Sequence, residues 1–447
     1  MLIIKILLGL FGLGVVVFIH ELGHFLAARL VKIDVEAFSI GWGKPVLKKK
    51  IGNVEYRLGM FPLGGYCKMK GVSDHEITYT QNGEQPEVGS YLAASPAARI
   101  LVCFGGPFFN LIFAILLLSL LWGIGFSVNT LENRIVLSSE IIKGEVFPAD
   151  TAGLQTGDRV VEIEGQPITY FHEMLENIAL NPNKELAMTV ERDGRLINLS
   201  VTPYLDKTSG AGRIGVYSWT DPVIESVQNA SPAEREGLLP RDIITSANGI
   251  PLHNTMELYK ILDDNPYELV LEYNRGGVSG QARFSKEDME SQLGFSWAVI
   301  NYRSAPLSLP KAVAKGTSES WKTLTVSVKS LRLLFMGIDL TQAVSGPARI
   351  TYMIGEAATH GFEQGIGAGL RSIMEFLALI SVALCVMNLL PIPILDGGMI
   401  ILFLIELIRG KPAPPKALSI LHGFGMLVIF GLIIFALFGD VMYFIRR

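Results

Sequence analysis

Val17-Phe18-Ile19-His20-Glu21-Leu22-Gly23-His24-Phe25 sets two histidines and a glutamate inside an apolar run that extends from Leu2 to about Leu30. On an α-helix, residues i and i+4 share a face, so the His20 and His24 imidazoles can reach one Zn²⁺. Glu21 lies beside them, where its carboxylate can take a proton from metal-activated water. Ionisable groups within a membrane helix are costly and mark function. The H-E-x-x-H pattern therefore points to a catalytic metal site on a helix that crosses a bilayer.

Composition agrees. The chain has 447 residues, of which 49% are hydrophobic and 18% charged, where a soluble chain carries about 25% charge. A crossing helix needs about 20 apolar residues, and four segments qualify: 2–30, 98–124, 372–390 and 416–437. The first resembles a signal peptide in its early Lys5, but its apolar stretch is too long and no small-residue cleavage site follows. The net charge of −4 is too small to bear on nucleic acid, and no basic cluster with interleaved aromatics appears, so no nucleic-acid partner is expected. Cys67, Cys103 and Cys385 match no zinc spacing and read as packing residues.

Basic residues orient the chain. Lys32, Lys44, Lys48, Lys49, Lys50, Arg57, Lys68 and Lys70 follow the first helix, and Arg409, Lys411 and Lys416 precede the fourth. Both loops are expected in the cytoplasm and the long region 125–370 on the opposite side. Arg446 and Arg447 run mildly against this assignment.

A catalytic zinc takes three protein ligands and keeps one open position. The extended metalloprotease pattern would place a histidine at Leu30, and Glu36 falls where the chain turns to strand. The better candidate is remote, in Asn388-Leu389-Leu390-Pro391-Ile392-Pro393-Ile394-Leu395-Asp396-Gly397-Gly398. Asp396 is the only carboxylate between Glu375 and Glu406. The prolines break the helix and let backbone turn into a protein-lined cavity. The first and third helices run the same way, so both halves of the site fall near the cytoplasmic face.

These two motifs resemble the site-2 proteases, a family of intramembrane metalloproteases with H-E-x-x-H on the first helix and N-x-x-P-x-P-x-L-D-G on a later one. The resemblance covers the whole chain. It implies zinc bound by His20, His24 and Asp396, Glu21 as general base, and Asn388 in contact with substrate. Gly41-Trp42-Gly43 is similar to a Gly-x-Gly segment of the family, with tryptophan where phenylalanine is more usual. Gly106-x-x-x-Asn110 also resembles the family, and reads equally as close helix packing.

Residues 44–70 alternate as strands about a turn at Gly52-Asn53, and Gly64-Gly65 breaks the pattern. In the family this region looks like a membrane-reentrant β-hairpin, which makes Gly41, Gly43, Gly64 and Gly65 candidate substrate-binding residues. An unwound substrate could add to such a strand edge. Farther on, Pro148-Ala149, Gly153-Leu154, Asp158 and Gly165-x-Pro167 recur 84 residues later as Pro232-Ala233, Gly237-Leu238, Asp242 and Gly249-x-Pro251. One offset for every pair signals duplication, and each copy resembles a PDZ domain. Trp321, Leu324, Val328, Leu331 and Phe335 form an apolar stripe on a helix expected on the membrane surface or against the PDZ pair.

The expected fold is a multi-domain membrane protein: four transmembrane α-helices with a membrane-associated β-hairpin, plus two tandem PDZ-like (α+β) domains outside. Its segments are 1–30, 31–97, 98–124, 125–206, 207–298, 299–371 (amphipathic linker), 372–398 and 399–447 (loop and last helix). The expected function is zinc-dependent cleavage of single-pass membrane proteins, of anti-sigma factor type or signal-peptide remnants, in a bacterial inner membrane with the PDZ pair periplasmic. A PDZ scaffold with a structural metal has no use for Glu21. A zinc transporter needs more polar residues than the fourth helix, with only His422, supplies.

Overall fold

The computed structural model of the chain describes residues 2–71, 87–264, 266–333, 336, 345–412 and 414–445. Phe335, Arg446 and Arg447 lie outside the described residues. Two compact units emerge, one from Met1–Phe126 with Ser304–Arg447, the other from Ser127–Arg303.

Among the described residues the first unit holds four helices long and apolar enough to cross a membrane: Ile3–Leu30, Pro96–Ile124, Ile366–Asn388 and Ala417–Ile445. Ser95 caps the second, its hydroxyl accepting from the Ala98 amide, and Pro96 occupies a first-turn position where a missing N–H costs nothing. Val16, Ala114, Ala378 and Val382 are almost fully buried where the first three spans meet. A second apolar cluster joins Phe25 and Ala28 to Phe38 of the hairpin, Tyr91, Val102 and Phe403. It fixes the lower half of the first helix against everything that carries the site.

The hairpin strands run Val35–Ile51 and Val54–Met69 about Gly52-Asn53. Val35–Ile40 is flanked on both sides, pairing Ala37 with Lys68 through Ile40 with Gly65 on one side and Ala37 with Glu55 through Ile40 with Leu58 on the other. This doubling is possible because Gly41, Gly43 and Gly64 adopt positive φ of 83°, 89° and 85°, letting the strands fold back on themselves.

Two segment bounds move. The third span starts at Ile366, so the boundary drawn at 371/372 falls within it. After Asn388 the Pro391 and Pro393 break leads not to a loop but to a separate helix, Asp396–Arg409, before the last span. The linker 299–371 holds two helices, Leu309–Leu333 and Pro347–Glu363.

The first of those two packs along the second span. Of the expected stripe Trp321 and Val328 are exposed while Leu324 packs partly buried against the span cluster, and the fully buried positions are Ala312, Gly316 and Ser320. Gly316 sits against Ser119, leaving no room for a Cβ. Small residues at steps of four let two backbones approach closely. The second packs on the first span through Gly9 against the Thr351 carbonyl and Gly355 against that of Lys5.

The second unit contains two copies of one α+β module. The first copy orders its antiparallel strands Gln166–Pro167, Arg159–Ile163, Leu186–Arg192, Arg195–Val201, with helix Phe171–Ala179. The second orders Ile250–Pro251, Ile243–Ala247, Glu268–Arg275, Val278–Ser285, with helix Thr255–Asp263. Each has its own core, around Met174, Ile178 and Met188 in one and Leu258, Leu271 and Phe284 in the other. Val216–Ser218 pairs with Ile135–Leu137, so the first copy extends past the 206/207 boundary drawn from sequence.

Candidate metal centre

The first helix carries His20 and His24 onto one face, and the break after the third span returns Asp396 to meet them. His20 Nε2 and His24 Nε2 lie 3.1 Å apart, and Asp396 Oδ2 is 3.4 Å from the first and 3.5 Å from the second. Among the described residues this is the one group of histidine, cysteine or carboxylate side chains able to hold a metal ion. A tetrahedral zinc with nitrogen and oxygen ligands at about 2.0–2.1 Å requires them about 3.3 Å apart. The triangle fits.

The second helix orients both rings. His24 Nδ1 is 2.8 Å from the Val102 carbonyl, which can only accept, so the proton sits on Nδ1 and Nε2 presents a lone pair inward. His20 Nδ1 lies 3.3 Å from the side-chain amide of fully buried Asn110, whose Oδ1 has no partner. Turning that amide end for end offers Oδ1 to a His20 Nδ1–H and frees His20 Nε2 in the same way. Two inward lone pairs beside a carboxylate call for a cation. Gly106 provides the room: a Cβ there would stand 2.4 Å from His24 Nε2 and 2.7 Å from His20 Cε1.

Asp396 opens the short helix Asp396–Arg409. Gly397 and Gly398 press against the Leu389 and Ile392 carbonyls, so neither tolerates a side chain. Ile394, just before, takes φ 93°, which costs a β-branched residue roughly 1–3 kcal/mol and marks a turn held by its surroundings. Asn388 Nδ2 comes within 3.4 Å of His20 Nε2.

Of the other residues singled out in sequence, Gly65 reaches the centre, its Cβ position 3.1 Å from Glu21 Cγ. The neighbouring Cys67 amide hydrogen-bonds the Glu21 carboxylate. Gly41 packs on Gly59 and Gly64 on the Trp42 indole, within the hairpin rather than at the centre. Glu36 pairs with Lys68 at 3.6 Å and is half exposed. The Val102 carbonyl and the Cys67 amide were beyond sequence reasoning, being backbone groups. Asn110 had a signal, its helical spacing from Gly106.

A two-histidine, one-carboxylate cluster with a glutamate alongside, borne by apolar helices, defines a membrane metalloprotease. The sequence profile of peptidase family M50 matches residues 8–432. Similar chains named as zinc metalloproteases occur in Treponema pallidum (strain Nichols), 35% identical over 98% of this chain and 99% of its own, and in Neisseria meningitidis serogroup A, 32% identical over 97% of each. Another, from Borreliella burgdorferi, is 31% identical over 97% of this chain and 96% of its own. The chain belongs to peptidase family M50, the site-2 proteases, and is a zinc-dependent metalloprotease.

Proposed function

We propose that the protein is an intramembrane endopeptidase that cleaves transmembrane segments of single-pass membrane proteins. The observation that carries this reading is the meeting of Asp396 with His20 and His24 across two apolar helices, with Glu21 alongside. In this reading His20 Nε2, His24 Nε2 and Asp396 Oδ2 hold the zinc. Bound there, zinc supplies Lewis-acid polarisation of the scissile carbonyl and acidifies water. Glu21 accepts the proton released by the attacking water and delivers it to the departing amide nitrogen. The Cys67 amide holds the Glu21 carboxylate in place until substrate arrives.

A substrate helix must unwind before a peptide bond is exposed. The strand Gly65–Met69 lies beside Glu21 and can take an extended segment by main-chain hydrogen bonds. Gly64, Gly65, Gly41 and Gly43 shape that strand, and Asn388 donates to the substrate carbonyl from beside His20.

The lysine-rich hairpin belongs to the cytoplasmic face of a bacterial inner membrane, and the duplicated modules, read as PDZ-like, to the periplasm. There they screen substrates by the size of their outer domains. Anti-sigma factors, released in regulated intramembrane proteolysis under stress, are the substrate class proposed; signal-peptide remnants are a second.

Glu21→Gln tests the reading. Zinc content should stay near one per chain while cleavage of a model single-pass substrate falls about 10²–10⁴-fold. Unchanged cleavage would reject this reading.

A further inference from the structure

The site's three candidate ligands sit on two helices that a third helix aligns. Along the second span, Arg99, Val102, Gly106 and Asn110 recur at steps of three and four, which is one helix face. Val102 orients His24, Gly106 clears the space and Asn110 meets His20. Arg99 closes the series from the other side. Its Nη2 is 2.6 Å from Glu406 Oε1, with the two side chains only 5% and 12% exposed.

Glu406 lies in the last turn of the helix that Asp396 opens, about 15 Å away at 1.5 Å per residue. Arg99 also lies 4.6 Å over the Phe403 ring of that helix, and its Nε donates to the Ala94 carbonyl at 3.2 Å. The near end of the helix is fixed by Gly397 and Gly398, the far end by this ion pair. A rigid rod held at both ends cannot tilt. Freed at the far end, the helix pivots about Gly397 and Gly398, and the Asp396 side chain, which projects from that pivot, changes its angle to two imidazoles fixed independently.

We infer that Arg99, acting through Glu406, is a positioning residue that sets the Asp396 carboxylate against His20 and His24. This rests on the metal-ligand reading above. Removing one partner alone would leave a bare buried charge, so the decisive variant is the apolar pair Arg99→Met with Glu406→Leu, which leaves none.

The measurement is zinc release from purified full-length protein in detergent, followed with a chromogenic chelator, beside a melting curve. Loss of an outer support of a metal ligand costs 10–100-fold in affinity, so release from the apolar pair should quicken about tenfold. Arg99→Lys keeps the charge but loses the planar fork, and should release zinc about threefold faster. Wild-type release rates in a folded apolar pair, or in Arg99→Lys, would overturn the inference. His24→Ala is run alongside. If it still binds one zinc per chain, the ligand reading fails, whatever Arg99 does.

Discussion

His20 Nε2 and Asp396 Oδ2 stand 3.4 Å apart although one lies on the first helix and the other beyond the third. Neither has an independent reason to be there. A carboxylate in an apolar region and an imidazole with its lone pair turned inward share a cation or remain two costly buried polar groups. Asp396→Asn keeps the shape and removes the charge. It should lower zinc content measured by atomic absorption by at least about tenfold, while the helices remain folded by circular dichroism. Asp396→Glu extends the carboxylate by one methylene and should retain zinc weakly, with cleavage down about 10²-fold for a displacement of about 1 Å.

Gly106→Ala should be as damaging as losing a ligand. Its methyl would stand 2.4 Å from His24 Nε2, and behind it lies the backbone of the second helix. The rings must rotate away. Zinc binding should fall at least about tenfold, read by titration with a fluorescent zinc probe. Wild-type affinity in this variant would show that the two helices separate more easily than their packing suggests.

Asn110→Ala removes the group that meets His20 Nδ1. Zinc affinity should drop 10–100-fold. Asn110→Asp, which can only accept at neutral pH, should lose less than Asn110→Ala because it still fixes the proton on Nδ1. An equal loss in both would point to packing rather than ring orientation.

The sequence exposed those parts of the molecule where chemistry overrode local preference. His20, Glu21, His24 and Asp396 stand out because ionisable groups do not belong in apolar runs. The hairpin was legible from its alternation and its glycines. The helix Asp396–Arg409 was not, because Pro391 and Pro393 announce a break but not what resumes after it. On Leu309–Leu333 the large residues marked the packed face only at Leu324, since Ala312, Gly316 and Ser320 bury a surface that hydrophobicity does not register. The repeat was visible at one offset, yet its matching ion pairs were not. Arg192 with Asp158 and Arg275 with Asp242 each close at 2.6 Å, but the arginines fall one residue out of step with the other repeated positions.

That second pair makes the second module acid-sensitive. Burial of Asp242 works to raise its pKa, but the Arg275 hydrogen bond and the Leu239 amide prevail, and the carboxyl is held below its ordinary range. A carboxyl depressed in the folded state stabilises above its unfolded pKa of about 3.9, and that contribution is lost as pH falls through the lower folded value. Arg275 also donates to the Gly237 carbonyl, so it ties the repeated Gly-Leu turn to the sheet. Arg275→Ala should destabilise the second module by about 2 kcal/mol at neutral pH. In hydrogen exchange of the full-length protein, amides of Glu268–Arg275 should lose protection while those of Leu186–Arg192 do not. As pH falls through the lowered folded value the difference from wild type should shrink, since Asp242 then loses its charge in both. A gap that held constant down to that pH would show that Arg275 acts through Gly237 and its stacking on Tyr273 alone.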